Sequence, residues 1–180
     1  LALTGAESGN YTLTAHADTT QVITPKALTV SGLSSADKVY DATTLAAVNG
    51  TAALQAAVAP GTGSSSDGTA YTGDTVSLSG TASAAFNSKD VATADHVSFT
   101  GLALTGAESG NYTLTAHADA AQVITPKALT VSGLSSADKV YDATTAATVN
   151  GTATLQAAVA PGTGSSSDGT AYTGDTVSLS

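Results

Sequence analysis

The sequence predicts an all-β chain built of tandem Ig-like β-sandwich repeats of about 101 residues, and three observations predict it. The first is composition. Val and Thr are abundant, Arg is absent, Glu occurs twice and only 11% of residues are charged. Such a mixture favours strands and turns over helices. The second is an internal repeat. Leu1–Asp18 returns at Leu102–Asp119, and residues 1–79 align with 102–180 without a gap. Five pairs differ: Thr19/Ala120, Thr20/Ala121, Leu45/Ala146, Ala47/Thr148 and Ala53/Thr154. All five exchange small or apolar residues, so the two copies share one fold. The third is the period itself. It exceeds the roughly 20–50 residues of solenoid repeats and matches one small sandwich domain.

The period divides the chain into the C-terminal part of a preceding repeat (1–25), a complete repeat (26–126) and the N-terminal part of a following repeat (127–180). We read the chain as a slice of a longer array. Its partial units are expected to take their missing strands from flanking sequence or from a neighbouring chain.

Along the chain, Gln21–Val30 is the most informative segment. Ile23 lies on odd parity, Leu28 and Val30 on even parity, and Pro25 between them. A parity change moves the apolar set to the other face, and Pro cannot donate to a central ladder. Either one strand leaves a unit and opens the next, or a bulge interrupts a single domain. Pro126 repeats the pattern. In Leu45–Val58, Asn49-Gly50 is a hairpin turn signal that predicts two strands rather than an Ala-rich helix. Ala59–Gly68 is rich in Gly, Pro and Ser and predicts an exposed, mobile loop. Val76 and Leu78 alternate with polar residues as in a half-buried strand. Val97 and Phe99 alternate likewise, and Leu102 and Leu104 resume in the other phase after Gly101. Tyr112, Leu114 and Ala116 continue with period 2, so the two segments read as an antiparallel hairpin with a long loop at Thr105–Asn111.

Charge excludes several partners. The formal net charge is −9, which opposes nucleic-acid phosphates and anionic membrane surfaces. No apolar run approaches the roughly 18 residues of a membrane helix. The absence of Cys removes disulfides and thiol chemistry.

Candidate chemical residues are few. Tyr40-Asp41 and Asn111-Tyr112 either mark a binding surface or are structural, with each ring in the core and each hydroxyl anchored at a sheet corner. Calcium requires six to eight clustered oxygens. Asp37, Asp41 and Asp74 are the candidates, against solvated turn residues as the plain alternative. His16, His96 and His117 lack a second His at ligand spacing, so no metal, cofactor or catalytic triad is expected. Lys38 and Lys89 are either isopeptide donors or ordinary lysines guarding strand edges.

Several motifs then occur in order: Lys38-Val39-Tyr40-Asp41, Gly73-Asp74-Thr75-Val76, Phe86 with Lys89-Asp90-Val91, Leu102-Ala103-Leu104-Thr105-Gly106, Gly110-Asn111-Tyr112-Thr113-Leu114 and Ile124-Thr125-Pro126-Lys127. This pattern resembles the YDG-type repeats, and the related MBG repeats, of large bacterial filamentous-haemagglutinin-like surface adhesins. Ala42 stands where that family has Gly after Tyr-Asp, and Ala92-Thr93-Ala94 stands where it has Gly-Thr-Gly, which bears on local turn geometry. The resemblance implies a secreted, cell-surface protein of tandem sandwiches without catalytic residues.

The function expected is therefore structural: a stalk or filament of an adhesin or biofilm-matrix fibre, whose partners are neighbouring repeats. A multivalent glycan- or protein-binding module and a multi-chain fibre built by strand donation are the alternatives.

Overall fold

The computed structural model describes every residue except Ala15 and is all β, with short 3-10 turns at Ser8–Asn10 and Ser109–Asn111. No helix is long and apolar enough to cross a membrane among the described residues. The complete repeat contains β1 (Lys26–Ser34), β2 (Lys38–Val39), β3 (Leu45–Ala46), β4 (Asn49–Val58), β5 (Thr69–Tyr71), β6 (Ser77–Phe86), β7 (Val97–Thr105), β8 (Tyr112–Thr115) and β9 (Ile124–Thr125). One sheet has the order β5-β4-β1-β8 and another the order β3-β6-β7, while β2 and β9 form a separate pair. The following unit holds β10 (Val131–Ser136), β11 (Val149–Val159) and β12 (Thr170–Tyr172) in one sheet.

Alternation along the strands builds the core. Val30 and Leu33 of β1 face Ala84 and Phe86 of β6, Val97 and Phe99 of β7, and Ile124 of β9. A smaller cluster joins Leu28, Ala70 and Tyr112, with Leu54, Tyr71, Val76 and Leu104 packed against it. With no Trp and two Phe in the chain, tyrosine rings supply much of the bulk.

Three expectations are corrected. β7 and β8 do not form a hairpin. β8 crosses to the other sheet and pairs in parallel with β1, Leu28 opposite Leu114. The intervening loop is held by Glu108, whose carboxylate accepts from the Thr75 N–H at 2.7 Å. Second, Asn49-Gly50 is not a hairpin turn. It opens β4, while β3 pairs with β6 in the other sheet, so the chain changes sheets at Ala47-Val48. Third, the loop at Ala59–Gly68 is exposed only over 59–66, Asp67 being half-buried and Gly68 buried, and it is held by hydrogen bonds. Asp67 accepts from the N–H groups of Ser64 and Thr69 and from the Thr69 hydroxyl. This loop joins two parallel strands, β4 and β5. The parallel pairings make the first sheet mixed, unlike the wholly antiparallel sheets of an Ig constant domain.

Gly50 belongs to a device used in both sheets. Gly32 and Gly50 face each other where the β1–β4 register shifts, with φ of 85° and 86°. Gly80 and Gly101 do the same in β6–β7, with φ of 88° and 87°. A Cβ on Gly101 would strike the Thr81 carbonyl, and one on Gly50 the Gly32 carbonyl. Each pair is a bulge that bends its sheet and reverses side-chain parity. That is why Leu102 and Leu104 follow Val97 and Phe99 in the opposite phase. Gly101→Ala should destabilise the unit by about 2 kcal/mol through strain alone, read from chemical denaturation against the control Ser77→Ala, an exposed position of the same strand pair, in β6.

The Tyr-Asp turn shows the opposite economy. Ala42 and its copy Ala143 both have φ of 61°, the left-handed region that Gly occupies freely. Ala42→Gly removes about 1 kcal/mol of strain against the entropy of a freer unfolded chain. We expect a small net gain in the denaturation midpoint, and a loss of more than about 1 kcal/mol would contradict this account of the turn.

Candidate functional site

The joint between the complete repeat and the following unit is built around Pro126. On one side, β9 pairs with β2, Ile124 opposite Lys38 and Thr125 opposite Val39. Ile124 is 2% exposed in the core of the complete repeat. Asp37 secures the approach by accepting from the Val123 N–H at 2.8 Å. On the other side, Lys127 belongs to the next unit. Its side chain is 2% exposed, with Nζ 2.8 Å from Asp168 Oδ1 and 4.1 Å from the centroid of the Tyr172 ring. Pro126, without an N–H, fits a linker that no ladder uses.

The same ion pair recurs one period earlier. Lys26 Nζ lies 2.8 Å from Asp67 Oδ1 and 4.2 Å from the Tyr71 ring centroid. In both copies the ammonium lacks an aligned hydrogen bond, so the contact is ionic and the ring face shares the charge. Lys26 holds Asp67 well below the usual carboxylate range, helped by the Thr69 and Ser64 N–H groups. Lys127 and Thr170 do the same to Asp168. Asp67 raises Lys26. Burial lowers Lys127, but Asp168 and Tyr172 together outweigh it and the net shift is upward.

A second contact crosses the joint through side chains. The Tyr40 hydroxyl donates to Asp175 of the next unit, at 3.0 Å to Oδ1 and 2.9 Å to Oδ2. Its ring meets Tyr172 edge-on, centroids 5.9 Å apart. Lys89 Nζ lies 3.4 Å from the Tyr40 hydroxyl and 3.9 Å from Asp175 Oδ1. The Gly162 N–H donates to the Asp41 carbonyl at 2.8 Å. Tyr172 is buried here, whereas its copy Tyr71, with no such neighbour, is half-buried. Burial raises the Tyr40 hydroxyl above its usual range and Asp175 adds to the rise, so it remains a donor at neutral pH.

The YDG domain profile matches residues 24–121 and 125–180. The chain belongs to the YDG domain family. No curated protein and no solved structure matches it. The two matched YDG segments start at Thr24 and Thr125, one period apart and each just before a Pro.

Within the YDG repeat, the signature Tyr-Asp forms a turn. Asp41 accepts from Lys38 Nζ at 2.7 Å and from the Thr43 N–H and hydroxyl. Burial raises the Asp41 carboxyl, but Lys38 and Thr43 overcome it and the net shift is downward. Lys38 also donates to the Thr43 and Leu45 carbonyls, leaving it fully engaged. Tyr112 takes the corner role. Its ring is buried, and its hydroxyl donates to Asp74 and accepts from the Tyr71 N–H at 3.1 Å. Burial, then Asp74, raises the Tyr112 hydroxyl above its usual range.

The calcium candidates are not brought together. Asp37, Asp41 and Asp74 hold Val123, Lys38 and Tyr112 respectively. No group of three or more His, Asp or Glu near enough to share a cation occurs among the described residues. His16 and His117 each contact the next carbonyl, and His96 lies beside Asp95. Lys89 is half-exposed beside Asp90. The buried lysines are Lys26 and Lys127, which the sequence reading passed over. Their signal was the repeated Pro-Lys at the opening of each unit, together with the one Asp in each Ser-rich loop. Amide formation requires a neutral amine and a neutral carboxyl, and each pair holds both groups charged. The intact mass should therefore equal that of the sequence, and a deficit of one water per pair would contradict the ionic assignment.

These pairs set a pH dependence. Folded, Asp67 and Asp168 hold fewer protons than unfolded, so their contribution is complete above about pH 4 and is lost progressively below it. Lys26 and Lys127 titrate higher when folded, so theirs is complete below about pH 10 and is lost as pH rises through the raised values. The denaturation midpoint should be level between these limits and fall on both sides. Asp67→Asn with Asp168→Asn should lower the plateau and flatten the acid limb.

Proposed function

We propose that this YDG-family chain is a structural stalk or filament segment of a secreted bacterial surface adhesin or extracellular matrix fibre, built of tandem sandwich-like units. The carrying observation is the joint. Ile124 and Lys127, three positions apart, are anchored in different units, and Tyr40 reaches across to Asp175. A tether this short, flanked by anchors, restricts bending far more than a Gly/Ser linker would. The role is mechanical and not enzymatic.

Near-identical units add reach without adding chemistry, each contributing roughly 30–40 Å if its strands run along the axis. The net charge of −9 keeps neighbouring chains soluble and apart. The extracellular, cell-surface location rests on the resemblance to adhesin repeats. A multivalent binding module draws less support, because Ser64–Gly68 and its copy Ser165–Gly169 are identical and no loop is specialised between repeats.

Electron micrographs of the native material test the reading. We expect threads one unit thick, about 20–30 Å across. Compact particles without axial order would overturn it.

A further inference from the structure

We propose that Lys89 is the positioning residue of the joint, and that its exposed ammonium makes the stiffness of the joint depend on ionic strength. The proposal deepens the filament reading and rests on its stiff joint. It names a condition that regulates the joint, the electrolyte around the chain, and the residue that responds to it.

Lys89 is the cation that the complete repeat turns toward its neighbour. Of the three lysines of that repeat, Lys26 is paired with Asp67 and Lys38 with Asp41. Lys89 lies at the joint instead. Its Nζ is 3.9 Å from Asp175 Oδ1 and 3.4 Å from the Tyr40 hydroxyl, which donates to the same carboxylate. The ammonium also stands 5.7 Å from the centroid of the Tyr40 ring. Asp90, on the same loop, holds it from the near side at 3.0 Å. The charge is thus shared between a carboxylate of its own unit and one of the next. Both units carry more acidic residues than lysines, so without this cation their charges oppose docking.

The loop that carries Lys89 is built to hold position. Residues 87–96 connect β6 to β7. Asn87 Oδ1 accepts from the Asp95 and His96 N–H groups, and its Nδ2 donates to the Thr93 carbonyl. Ser88 Oγ accepts from the Asp90 N–H and from the Thr93 hydroxyl. The Thr93 and Ala94 N–H groups both donate to the Asp90 carbonyl, and Ala94 is buried in the core. A flexible side chain on so fixed a loop samples a small region, and Tyr40 and Asp175 border it.

Exposure decides the response to salt. The Lys89 side chain is 45% exposed, whereas that of Lys127 is 2%. The Debye length shrinks from about 30 Å at 0.01 M to about 3 Å at 1 M, shorter than the 3.9 Å between Lys89 and Asp175. Screening therefore weakens the contact across the joint and spares the enclosed pairs within each unit. Dilute electrolyte holds the joint closed, and concentrated salt releases it while both units stay folded.

The test is single-molecule fluorescence energy transfer in the 180-residue chain, with dyes at Ser66→Cys and Ser167→Cys, exposed positions in equivalent loops of the two units. Sodium chloride is varied from about 0.01 M to about 1 M. We expect one narrow population at low salt, and a docked-to-undocked ratio that falls by about two- to fivefold as salt rises. Lys89→Met should show at low salt what the parent shows at high salt, and lose the dependence. Lys89→Arg should retain it. The thermal transition of the complete repeat should be the same in all three chains, because the side chain is half-exposed. A narrow population that salt does not move, or a Lys89→Met chain that responds to salt as the parent does, overturns the proposal and leaves the stiff joint standing. A broad population at every salt concentration removes the stiff joint and the proposal with it, so the two failures are distinguishable.

Discussion

The two anchors flanking Pro126 constrain everything else in this chain. Ile124 is sealed into one core and Lys127 into the next. With so little backbone between two fixed points, the neighbouring unit has few orientations available. Tyr40 can then meet Asp175, and the Asp41 carbonyl can meet the Gly162 N–H. Those contacts are individually modest. They are effective here because the crossing has already removed most of the entropy that docking would otherwise cost.

The buried ion pairs serve the same end. Lys26–Asp67 ties the first residue of β1 to the loop before β5, and Lys127–Asp168 ties the segment leading into β10 to the loop before β12. In a charge pair this enclosed, desolvation offsets much of the attraction, while removing one partner leaves the other charge buried and unpaired. Its geometric consequence is clearer. It fixes the segment that follows the Pro against the Ser-rich loop. At Lys127 the Tyr172 ring that lies over the ammonium is also the ring that Tyr40 of the complete repeat meets edge-on.

Much of this was legible in the sequence, for a physical reason. Repetition places identical residues in two environments, one complete and one not, and parity reports which face each residue serves. The change of parity across Pro126 left a crossing or a bulge open, and the structure has a crossing there; the change of phase after Gly101 was visible in the sequence, and the structure gives it as a bulge. Pairing partners were less legible. β8 runs parallel to β1 rather than hairpinning with β7, because a period-2 pattern states that a strand has a buried face and not which edge it joins. Asn49-Gly50 misled for a related reason. Positive φ at Gly serves a bulge as well as a turn. At the joint, Tyr40 and Tyr112 look alike in sequence, yet one bonds within its unit and the other reaches its neighbour. The buried role of Lys26 was invisible because charged residues are seldom enclosed unless paired, and its partner lies in a distant loop.

The most direct test of a stiff joint is a distance distribution between the two units. The chain has no Cys, so spin labels at Ser66→Cys and Ser167→Cys, equivalent exposed positions one period apart, report only the joint. Pulsed electron–electron resonance should give one narrow population, which broadens when Pro126→Gly and Tyr40→Phe are combined. A broad distribution in the parent chain, unchanged by those substitutions, would mean that the units move independently and that the joint is a flexible link.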